Sequence, residues 1–131
     1  MVVQILVKNC FSLRNLDVRF RKVPLKMKAY EVLHSPRVWC QDSPARNAQG
    51  QKVGAFDPSA VQWCALAAIQ KAYPPSQWEE KMNRLLRALS VSEAGLVRLT
   101  TSDKICCLME WNDDSSASFS DIREILLSAD L

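Results

Sequence analysis

One stretch constrains this chain more than any other: Asp57-Pro58-Ser59-Ala60-Val61-Gln62-Trp63-Cys64-Ala65-Leu66-Ala67-Ala68-Ile69-Gln70-Lys71-Ala72-Tyr73, closed by Pro74-Pro75. An aspartate can accept hydrogen bonds from the free amides of a first helical turn, and a proline at the first helical position gives up an amide that has no partner there. At the far end two prolines forbid continuation, and the residue before a proline is driven out of the helical region. The pattern therefore predicts a helix over 58–73. Apolar residues cover nearly its whole circumference, which predicts a central element enclosed by the rest of the molecule. The small side chains on one side leave room for a second helix to come close.

Around that element, 131 residues make one domain of 1–131, large enough to bury its own core without staples. No apolar run approaches the ~20 residues of a membrane span, and the start lacks the basic lead-in of a secretory signal, so a cytoplasmic protein is expected. Cys10, Cys40, Cys64, Cys106 and Cys107 form an odd set without Cys-x-x-Cys spacing, and His34 is the one histidine. That combination argues against a disulfide framework and against a zinc site, and makes the cysteines small apolar fillers. No metal and no cofactor is expected.

Met1 to Val7 reads as a strand, and Leu16, Val18 and Phe20 alternate with charged residues as in a half-wet strand. Together they predict an N-terminal hairpin. An internal Met27 offers a second start, so residues 1–24 can be an elaboration on the fold. Pro24 then opens a short helix carrying Leu25, Ala29, Val32 and Leu33, stopped at Ser35-Pro36. Between Pro36 and Phe56 the apolar period is lost. Asn47-Ala48-Gln49-Gly50 has the form of a turn closed by a glycine at positive φ, predicting a small hairpin over 45–53.

Ser76-Gln77-Trp78-Glu79 has the spacing of a capping box, followed by a helix with Trp78, Met82, Leu85, Leu86 and Leu89 on one face. Leu96 to Leu99 and Ile105 to Trp111 suit two strands, although 101–111 fits a short helix equally well. Ser118-Phe119-Ser120-Asp121 begins a last helix running to about Ala129. The fold class expected is α+β, with a mainly helical core and a minor β component.

Function is less legible. Residues 1–37 hold eight basic side chains against Asp17 and Glu31. Arg14, Arg19, Arg21, Lys22, Lys26 and Lys28 are therefore candidate contacts to nucleic acid, set against the reading of an ordinary solvated face. Cys64 with His34 invites a cysteine-nucleophile reading. The predicted helix places Cys64 two turns from its positive end among apolar neighbours, which raises a thiol's pKa, so no catalytic residue is assigned. The acidic residues around Asp113 and Asp114 lack the spacing of a calcium loop and suit a turn before a helix. Two irregular segments flank the central element and are rich in hydrogen-bonding groups. Trp39, Gln41, Arg46 and Asn47 from one, with Asn112 and Asp113 from the other, are the candidate binding residues, competing with the reading that Asn112 and Asp113 simply hold the fold together.

Three fragments also carry a resemblance: Trp39-x-Gln41…Ala45-Arg46-Asn47-x-x-Gly50, then Asp57-Pro58-x-Ala60-Val61-x-Trp63-Cys64-Ala65-Leu66-x-Ala68, then Trp111-Asn112-Asp113 with Phe119-x-Asp121-Ile122. Their order and spacing resemble a family of small uncharacterised bacterial and phage proteins classed as a domain of unknown function. The likeness spans roughly residues 25–129 and departs from the family pattern at Ser43 and Ala67. It implies a cytosolic location and an origin in a phage or mobile element, and it implies no activity. Non-enzymatic binding to a host or defence protein is the leading expectation. Nucleic-acid contact through the basic N-terminal third is one alternative. A hydrolase or transferase built on a recess between the Trp39 loop and Trp111-Asn112-Asp113 is the other.

Overall fold

The computed structural model describes residues 27–131. Within them lie six α-helices and a three-stranded antiparallel sheet, an α+β arrangement dominated by helix. The expected N-terminal hairpin and most of the basic N-terminal residues fall outside the described residues.

The stretch from Asp57 to Tyr73 divides in two. Residues Ala60–Trp63 are a strand, here β3, and only Ala65–Ala72 are helical, here α2. Asp57 caps no helix. Its Oδ1 accepts from Ser59 N at 2.8 Å and from Ser59 Oγ at 2.6 Å, closing a local turn in which Pro58 supplies a favourable φ. Val61 and Trp63 are residue types that fit a pleated surface, and the strand Ala45–Asn47, β1, stands ready to pair with them. Cross-strand hydrogen bonding thus displaces the helix that the local signals favour. Enclosure is as expected from Cys64 onward, where Cys64 to Ile69 are all buried.

The hairpin near 45–53 is present as β1 paired with Lys52–Val53, β2, in the order β2-β1-β3. Asn47 Oδ1 accepts from the amides of Gln49 and Gln51, and Gly50 takes φ +78°, a conformation that costs an L side chain but not glycine. Trp39 forms a parallel bridge to Trp63, so the outer side of β3 is partly covered by the segment after the 3-10 turn Pro36–Val38.

Around α2 pack Ala29–Val32 (α1), Trp78–Ala88 (α3) and Thr101–Asp113 (α5), with Phe119–Ser128 (α6) against α1 and α3. Ala65, Ala67 and Ala68 are almost wholly buried, and their small side chains let these neighbours approach. α1 is a single turn, carrying Ala29 and Val32 into the core. The capping box expected at Ser76 is absent: Pro75–Gln77 form a 3-10 turn and α3 begins at Trp78 without a side-chain cap. Glu79 is occupied elsewhere, bonded to Thr101 and Lys104.

Among residues 96–111 the strand expected at 96–99 is replaced by a helix ending at Arg98, and of the two alternatives open for 101–111 the helix is the one found. Glu93–Arg98 is α4, started by Ser92 Oγ accepting from Gly95 N, and α5 begins at a capping box of Thr100 and Asp103. These local caps decide what apolar periodicity left open. The last helix is as expected, with Ser118 and Asp121 reciprocally bonded and Ile122 and Leu126 fully buried.

Candidate functional site

The two irregular segments singled out in the sequence do meet, at the junction of the α5 C-terminus and the α2 N-terminus. Asn112, 1% exposed, is the hub. Its Oδ1 accepts from Trp39 Nε1 and from the backbone amide of Ala65, both at 2.9 Å. Its Nδ2 donates to Cys40 O at 3.1 Å and to Asp113 Oδ1 at 2.9 Å. A carboxamide has two lone-pair positions and two donors, so Asn112 is fully engaged by its own protein. One of the amides it serves is the first of α2, which no residue within that helix can satisfy.

Gln41 performs the matching task at the other helix end. Its Nε2 donates to Asn112 O at 2.9 Å, a carbonyl left free where α5 stops, and to Asp114 O at 3.0 Å, which also accepts from Ala117 N. Asp113 Oδ1 also accepts from the amide of Asp42 at 2.9 Å and helps hold that residue at φ 64°. Arg46 joins indirectly, donating to Gln41 O at 3.1 Å and to Gly50 O at 2.9 Å. Asn47 stays apart, bonded to Gln51 within the hairpin turn. Trp39, Gln41, Asn112 and Asp113 are thus in direct contact, Arg46 is one step removed, and the side chains spend their hydrogen bonds on internal partners. Physically this is a joint that ties the loop after Trp39 to two helix ends.

Cys64 adjoins the joint in a position the sequence reading misplaced. It is the N-cap of α2, its Sγ accepting from Ala67 N at 3.4 Å, rather than two turns inside the helix. A helix N-terminus favours thiolate, but burial outweighs it and pushes the Cys64 thiol up. Burial, followed by the neighbouring Cys64, pushes the Cys40 thiol up to about 12. Both sulfurs are therefore protonated at neutral pH. Of the basic residues proposed for nucleic acid, Lys28 is described, and it is paired with Asp130 at 3.0 Å.

A second feature escaped the sequence reading. Phe56, 61% exposed, stacks on Trp78 with centroids 6.4 Å apart and planes 17° from parallel. Lys71 Nζ lies 5.8 Å from the Phe56 centroid and 5.0 Å from that of Trp63. Both indoles are tethered, Trp63 Nε1 to Ala55 O at 3.1 Å and Trp78 Nε1 to Tyr73 O at 2.8 Å. Val61, exposed, shares the face of β3 with Trp63 by the two-residue period of a strand. The signal available in the sequence was a large aromatic residue, Phe56, among the small and turn-forming residues Gly54, Ala55, Asp57 and Pro58.

Compared with known protein families, residues 27–130 match a family of unknown function (DUF6197). The chain belongs to that family. Searches of curated proteins and of solved structures return no match. The DUF6197 match contains the whole Asn112 joint and the aromatic surface, while Arg14, Arg19, Arg21, Lys22 and Lys26 lie before it.

Proposed function

We propose that this protein acts by non-enzymatic binding to another protein, through the surface formed by Phe56, Trp63, Lys71 and Trp78. The observation that carries the reading is an exposed phenylalanine held in place by a stacked, tethered indole and a flanking ammonium. Rigid aromatic side chains bury much area for little lost side-chain freedom, which is why such residues anchor protein interfaces. Lys71 selects the partner's chemistry: an apolar side chain set beside a carboxylate would stack on the rings and pair with the ammonium. At the Asn112 joint, by contrast, hydrogen bonds already made within the protein favour a structural role. Following the family resemblance, the protein is a phage or mobile-element product and its partner a host or defence protein.

The test is affinity capture from host lysate with the wild type and with Phe56→Ser, followed by measurement of the affinity for each captured protein. A partner bound at least about tenfold more weakly by Phe56→Ser supports the proposal, since a buried aromatic anchor contributes well over 1.4 kcal/mol. A partner held equally by both removes it.

A further inference from the structure

Opposite chemistries meet in a cleft of about 340 Å³ between α3, α4 and α5. Glu79, Asn83 and Arg87 line it from α3. Their four-residue spacing places them in a row about 6 Å apart along the helix. At one end Lys104, 5% exposed, pairs with Glu79 at 2.9 Å; among the described residues this is the one hydrogen bond its ammonium makes, although it carries three donors. At the other end Arg87 and Glu93 form a two-pronged pair at 2.6 and 3.2 Å. Midway, Asn83 Oδ1 is buried without a hydrogen-bond partner among the described residues. Leu96 and Leu99 give the cleft an apolar wall.

Buried polar groups are nearly always satisfied, and an unmet one is expensive. Lys104, whose ammonium has spare donors, and Asn83, whose carbonyl oxygen is covered and unmet, both line this open cleft. A carboxamide can also turn about its last bond and present either end to a ligand. We infer that this cleft is a binding site for a small zwitterion of the α-amino-acid class. The ligand's carboxylate sits on the spare donors of Lys104. Its ammonium is shared between the Glu79 carboxylate and the Asn83 carbonyl, and its side chain lies on the leucines. The lining carries two cations and two anions, which suits a ligand of zero net charge better than a free anion or a free cation. The site is separate from the aromatic surface and does not depend on the binding proposed there.

The test is titration of the isotope-labelled protein with alanine, leucine and glutamine, followed by amide chemical shifts, with acetate and methylamine as single-charge probes. Saturable shifts confined to residues 79–87 and 96–104, with affinity about tenfold weaker in Asn83→Leu, are expected for loss of one satisfied polar contact. Asn83→Leu replaces an unmet buried polar atom with a hydrocarbon of similar size, so its fold is expected to survive, and a wild-type spectrum outside the cleft checks this. Lys104→Arg, which keeps the charge and changes its reach, is expected to weaken the amino acids while preserving the fold. The inference is overturned if no amino acid gives saturable shifts, if Asn83→Leu binds as tightly as the wild type, or if acetate or methylamine alone binds as well as the amino acids.

Discussion

Replacing Asn112 by alanine is the sharpest probe of how this molecule is held together. Truncation removes two acceptor and two donor contacts at once. The amide of Ala65 is buried and Cys40 O lies behind a buried residue, so each loses its partner where water enters poorly; Trp39 Nε1 is part-buried and Asp113 can turn to solvent. A hydrogen bond contributes about 1 kcal/mol net, and a partner left buried and unpaired costs about 1–3 kcal/mol. Two such partners plus the partly covered indole give a loss of roughly 3–5 kcal/mol for Asn112→Ala. Against the ~5–15 kcal/mol that holds a domain together, this leaves the variant close to unfolding. Urea titration followed by tryptophan fluorescence would show the midpoint fall with its slope unchanged, and the melting temperature would drop by more than about 10 °C. Asn47→Ala is the comparison, because Asn47 also accepts two backbone amides but in an exposed turn where water replaces it. Its cost should stay near or below about 1 kcal/mol. If Asn112→Ala costs no more than Asn47→Ala, the joint does not hold the loop and helices together, and the polar groups there must be explained by something other than structure.

Two further outcomes follow from the same contacts. Alkylation of the native protein at mildly alkaline pH should label Cys106 and Cys107, which are exposed, while Cys40 and Cys64 react on the order of a hundredfold more slowly until the protein unfolds; peptide mass mapping reads this directly. Acid should weaken the fold through depressed carboxylates. The side-chain hydrogen bond from Lys104 holds Glu79 below the usual carboxylate range, and the backbone amide of Thr100 does the same for Asp103. A carboxylate depressed in the folded state stabilises it above the unfolded pKa near about 4 and loses that contribution as pH falls through the folded value. Urea midpoints should therefore decline below about pH 4.5, and Glu79→Gln should flatten part of the decline; an unchanged pH profile in Glu79→Gln would contradict the pairing with Lys104.

Where a residue's partner lies within a few positions, the sequence alone determined the structure. The Ser118–Asp121 box and the Asn47–Gly50 turn are contacts of that kind, decided by local chemistry; the apolar spacing in α3 and α6 is equally local, although the faces it creates pack on other elements. Several other local signals pointed the wrong way. Asp57-Pro58 serves a turn as well as it serves a helix start, and the choice fell to β1, a strand fifteen residues upstream that offers Ala60–Trp63 a ladder of hydrogen bonds. That ladder moved the helix start to Ala65 and placed Cys64 at its N-cap. Trp39, Gln41, Asn112 and Asp113 could be suspected of meeting because they stand in polar segments beside a buried element. That Asn112 would serve Trp39 and Ala65, 73 and 47 residues away, could be decided only by the closed fold. The aromatic surface and the α3–α5 cleft are likewise invisible along the chain, because stacking, burial and an unmet hydrogen bond exist only between groups that tertiary packing brings within a few ångströms of one another.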